Sequence, residues 1–131
     1  MTTFRLDTSG PHSDDYTRHV ADALAESMRV LNHATQLQAD TTDPATVHHV
    51  LGSLRDAAQR MGQLLTQLDR HLVRFAQSGQ LADSNGNAEN SATRARHGIE
   101  AAHRAATQLA DHLVWAFNAT SGLCPRDGGD A

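Results

Sequence analysis

Nine histidines and eleven arginines carry most of the chemistry open to this 131-residue chain, which has one cysteine and no lysine. Pairing the first two helices antiparallel would bring His33 level with His48 and His49, and neutral imidazole is a good ligand for Zn²⁺ or Ni²⁺. The spacing argues against such a site. No His-x-x-x-His occurs, no cysteine joins the three, and the helical wheel turns His33 and His49 toward solvent. No metal and no cofactor are therefore expected. His71 differs, because it falls in an apolar series between Leu68 and Phe75 and shares a level with His97 and His12. A buried imidazole must find a hydrogen-bond partner or stay neutral, so His71 is the candidate buried polar site.

Arg70, Arg74, Arg94, Arg96 and Arg104 gather toward one end, where they could meet phosphate or an acidic partner. Asp69, Glu89 and Glu100 lie among them, and Arg96–Glu100 and Glu100–Arg104 have the spacing of helix pairs. With a formal charge of −4 and no short recognition helix, the chain is not built as a primary nucleic-acid reader. Weak accessory binding is the most that the arginines suggest. There is no glycine-rich phosphate loop, no His-Glu-x-x-His and no nucleophile paired with a base, so no catalytic residue is named.

The run His48-His49-Val50-Leu51-Gly52-Ser53 resembles the phosphoacceptor helix of histidine phosphotransfer domains, whose pattern is His-x-x-Lys-Gly-Ser. His48, Gly52 and Ser53 match, and Leu51 stands where that family has lysine. The resemblance covers six residues and implies a helical bundle with His48 as phosphoacceptor. Gly52 would then leave room around a phosphorylated imidazole.

The elements that must position these residues are three long helices. Pro44 to Gln77 reads as one amphipathic helix, with Val47, Val50, Leu54, Ala57, Met61, Leu64, Leu68 and Phe75 in steps of three and four. A second row, Leu51, Ala58, Leu65 and Leu72, runs beside the first, and a stripe this wide faces two neighbours in a bundle. Asp43-Pro44 starts this helix and Gly79 stops it. Ser13 caps an earlier helix reaching to about residue 38, whose inward face carries Tyr16, Val20, Leu24, Met28 and Leu31. Gln80 to Asn90 is a loop rich in Ser, Asn and Gly, and a third helix follows over about 91–120. The expected fold is all-α, an antiparallel up-down-up three-helix bundle over 13–121. It has an irregular arm at 1–12, where Phe4 and Leu6 could dock, and a disordered tail at 122–131.

Aromatics are few and strand formers never cluster, which favours helices. No signal peptide and no bilayer-spanning run is evident, and a lone Cys124 fits a reducing compartment, so a cytoplasmic bacterial protein without membrane contact is expected. The absence of lysine matches the codon bias of a GC-rich genome. Leu113 to Phe117 is apolar all round the helix, and Val114, Trp115 and Phe117 form the candidate interaction surface. The function expected is a non-enzymatic protein–protein interaction or regulatory module, self-associating as a homodimer or binding another protein.

Overall fold

The computed structural model describes residues 5–36, 43–79, 81–84 and 86–126. The chain is all-α: helices α1 (Asp14–Ala34), α2 (Pro44–Ser78) and α3 (Ala88–Thr120), with no strand among the described residues. It divides into two compact units, residues 1–42 and 43–131.

In the first unit, Ser13 caps α1 by accepting from the Tyr16 amide at 3.1 Å, and Asp14 and Asp15 sit in the first turn, where negative charge suits the helix dipole. The arm folds back on this start. The Tyr16 hydroxyl donates to the Arg5 carbonyl at 2.8 Å and accepts from the Asp7 amide at 2.6 Å, while His12 stacks on the Tyr16 ring with centroids 4.7 Å apart. Leu6 stays exposed, and Phe4 lies outside the described residues. Thr35 caps the far end, so α1 stops short of the expected residue 38; residues 37 and 38 lie outside the description. Among its apolar side chains, Leu24, Met28 and Val30 are exposed.

In the second unit, α2 starts and stops where the sequence places it. The Asp43 carboxylate accepts from the Thr46 amide at 2.8 Å, Pro44 occupies the first turn, and Gly79 takes the left-handed conformation at φ 71° that ends the helix. Helix α3 begins three residues earlier than expected, because the Asn87 side chain accepts from the Asn90 amide and makes Asn87 the cap. Ser91, where the third helix was expected to begin, instead donates its hydroxyl to Asp83 in the loop. Helices α2 and α3 run antiparallel, as the up-down-up order requires of them: His48 meets Thr120, Gly52 meets Phe117, Gly62 meets His103 and Asp69 meets Arg96.

Small residues build the seam between α2 and α3. Ala58 and Gly52 on α2 and Ala92, Ala106 and Ala110 on α3 are its buried members, and no large side chain is fully buried among the described residues. The row of α2 that meets α3 is therefore the second one, with Leu51, Leu65 and Leu72 half-buried beside Ala58. The first row turns away from α3, leaving Val47, Met61, Leu64, Leu68 and Phe75 exposed. No helix among the described residues is long and apolar enough to cross a membrane.

Candidate functional site

Glycines at 52 and 62, ten positions apart on α2, fall on the same side of that helix, and each receives a ring from α3. A Cβ at Gly52 would stand 2.9 Å from Cε2 of Phe117, and one at Gly62 would stand 3.2 Å from Nε2 of His103. Glycine permits the backbone to approach a neighbour where any side chain would collide. These two positions therefore fix how α3 lies along α2.

At the first crossing, His48 stacks on Phe117 with centroids 4.1 Å apart and planes at 16°, while the Arg55 guanidinium carbon stands 4.1 Å over the same ring. Two groups at that distance cannot share one face, so the ring lies between them. A stacked imidazole and a cation over the ring face both suit the aromatic quadrupole. Arg55 is steered by Asp56, which accepts from its Nε at 3.1 Å and from a terminal nitrogen at 2.9 Å. His48 Nδ1 lies 2.8 Å from the Thr120 hydroxyl, which also donates within its own helix to the Ala116 or Phe117 carbonyl at 3.0 Å. With the hydroxyl proton committed to a carbonyl, His48 donates from Nδ1.

This geometry bears on the expected phosphoacceptor. His48 is half-buried, and the space beside Gly52 that the phosphotransfer resemblance reserves for a phosphorylated ring holds the Phe117 ring. Gly52 serves the packing of two helices. Phe117 is accordingly half-buried in the seam instead of forming an outer surface with its neighbours. Val114 is also half-buried, whereas Trp115 is 72% exposed, with His112 as a ring neighbour at 5.7 Å. The three residues of the expected interaction surface thus differ in burial, and Trp115 is the exposed one.

His71 is exposed, which corrects its expected burial in the core. It belongs to the same outward row as Leu64, and α3 packs instead against Leu72 on the adjoining row. Its ring stands 6.2 Å from that of Phe75.

Farther along, Arg96 grips Asp69 across the two helices, Nε to Oδ1 at 2.8 Å and a second nitrogen to Oδ2 at 3.3 Å. Hydrogen bonding to Asp69 pushes the Arg96 guanidinium above its ordinary value, and the Glu100 charge adds to this. Arg104 pairs with Glu100 at 3.1 Å, so two of the five clustered arginines are committed to carboxylates. Beside them lies a groove lined in part by Thr66, Asp69, Arg96, His97 and His103. Among the described residues, no three His, Cys, Asp or Glu side chains are grouped to hold a metal ion.

Another exposed feature is apolar. Val47, Met61, Leu64, Leu68 and Phe75 run along one side of α2, and helical rotation puts Ala95, Ala102 and Leu109 of α3, all exposed, on the same side of the pair. Leu64 and Leu68 are each 47% exposed in mid-helix, where a globular chain ordinarily buries its leucines. This row was legible as apolar in the sequence; its exposure was not. The ring-accepting role of Gly62 was missed, although Gly52, Ala58 and Gly62 on one side of a leucine-rich helix are a signal for close approach. No family model, curated protein or solved structure matches the chain.

Proposed function

We propose that this chain is a non-enzymatic helical module that works through protein–protein contact, and that the open apolar face of α2 and α3 is the contact surface. One observation carries this. The buried members of the seam between α2 and α3 are alanines and a glycine, while Val47, Met61, Leu64, Leu68 and Phe75 of α2 stay exposed. Contiguous apolar surface of this kind marks interaction sites on folded chains. The rings and charges near the seam support the same view, since His48, Arg55, Asp69 and Arg96 are engaged in joining the helices.

The test compares the native chain with a Leu64→Glu, Leu68→Glu variant, using binding of an apolar fluorescent dye and sedimentation across a concentration range. The native chain should either bind the dye or associate, and the variant should do neither while keeping its helix content. A native chain that does neither, like the variant, has no usable apolar face, and the proposal fails.

A further inference from the structure

The open face has a length, a width and a pattern of side-chain sizes, and these select an occupant. From Val47 to Phe75 it runs about 42 Å along α2 at 1.5 Å per residue. With α2 and α3 side by side, each about 10 Å across, the face covers about 800 Å², the area that one partner contributes to a standard stable interface. A single helix as long as α1, with 21 residues, spans about 32 Å and falls short of that length. A second α2 matches it end to end.

We infer that the occupant is a second copy of this chain, laid antiparallel along α2 about a two-fold axis near Met61 and Leu64. This rests on the contact surface proposed above and names its partner. The sizes along the row support it. Rows of positions seven apart, Leu54, Met61, Leu68 and Phe75 beside Val50, Ala57, Leu64 and His71, interleave in an antiparallel pair. Met61 then packs against Leu64 of the partner subunit, Leu68 against Ala57 of the partner subunit, and Phe75 against Val50 of the partner subunit. Leu54 faces His71 of the partner subunit, and large meets small in two of the four layers, at Ala57 and at Val50. The bordering row is Ser53, Arg60, Gln67 and Arg74. Antiparallel placement sets Arg60 beside Gln67 of the partner subunit and Arg74 beside Ser53 of the partner subunit, so no arginine meets an arginine. Because the contact is isologous, it closes on itself as a dimer and leaves no free face to propagate.

The experiment uses full-length chain carrying Cys124→Ser, with single cysteines introduced on the face. Sedimentation should show a reversible dimer, and the Leu64→Glu, Leu68→Glu variant should weaken it by more than about a hundredfold, since four buried leucines are lost per dimer. Under mild oxidation, Val50→Cys mixed with Phe75→Cys should give a disulfide-linked heterodimer, and Phe75→Cys alone should give none. Circular dichroism checks that each variant keeps its helices. Three results overturn the inference. One is a homodimer linked through Phe75→Cys alone, which means parallel pairing. Another is a dimer that the two glutamates leave intact, which places the contact elsewhere. The third is a strict monomer, including one in which Leu64→Cys closes an intrachain disulfide with Met28→Cys. A strict monomer that still binds the apolar dye through this face removes the second copy as partner but keeps the proposed contact surface.

Discussion

Gly52→Ala offers the sharpest test of how α3 is held on α2. In mid-helix, alanine is favoured over glycine by about 0.5–1 kcal/mol, so in an open position the substitution stabilises. At residue 52 the new methyl would stand 2.9 Å from Cε2 and 3.2 Å from Cδ2 of Phe117, closer than van der Waals contact. The ring cannot simply swing aside, because His48 and Arg55 each lie 4.1 Å from its centre. Overpacking of this kind costs about 1–3 kcal/mol, so the variant should lose roughly 1 kcal/mol net. Gly98→Ala is the internal control: it lies inside α3 with nothing within 4 Å of its Cβ, and should gain about 0.5–1 kcal/mol. Urea unfolding at fixed protein concentration measures both, and Gly52→Ala combined with Phe117→Leu should recover part of the loss. If Gly52→Ala gains stability to the same degree as Gly98→Ala, the close packing of Phe117 on α2 is refuted.

Thr120→Val removes the hydroxyl that pairs with His48 Nδ1 and should cost about 1 kcal/mol in urea unfolding, the usual net worth of one such bond. Trp115→Ala should change stability by less than about 0.5 kcal/mol, since the ring is 72% exposed, and in the native chain an aqueous quencher should reach the indole nearly as well as free tryptophan. Because Trp115 lies off the open face, the same substitution should leave dimerisation unaltered. Acceptance from the Thr46 amide holds the Asp43 carboxyl below its usual value. Its contribution is therefore present above the unfolded carboxylate pKa, about 4, and is lost as pH falls through the lower folded value. Asp43→Asn keeps an accepting oxygen at the cap without a titrating group, so acid titration followed by circular dichroism should show a shallower loss of helix than in the native chain.

The helix positions were legible because their ends carry local chemistry. Ser13, Asp43-Pro44 and Gly79 act through side-chain oxygens, a fixed φ and a left-handed turn, all decided within a few residues. The start of α3 was not, because Asn87, Asn90 and Ser91 are all competent caps and the loop residue Asp83 takes Ser91. The candidate sites depended on which row of α2 meets α3. The stripe is three rows wide, so periodicity alone cannot choose among them. Glycine and alanine decide it: α3 closes on the side where Gly52, Ala58 and Gly62 let its backbone approach. That choice turns Phe117 inward and puts His71 outside.

The same choice sets which side chains are left on the open face. Had α3 settled on the row from Val47 to Phe75, the leucines would have been covered and the small residues left outside, as hydrophobic burial alone would favour. Closing instead on glycine and alanine gains helix contact through close approach, a ring held at Gly52, and the Asp69–Arg96 pair. The large apolar side chains of that row are thereby left exposed. Because they lie along one side of a single helix, they can be covered together in a single docking step. A face assembled this way suits contact with a partner of matching length.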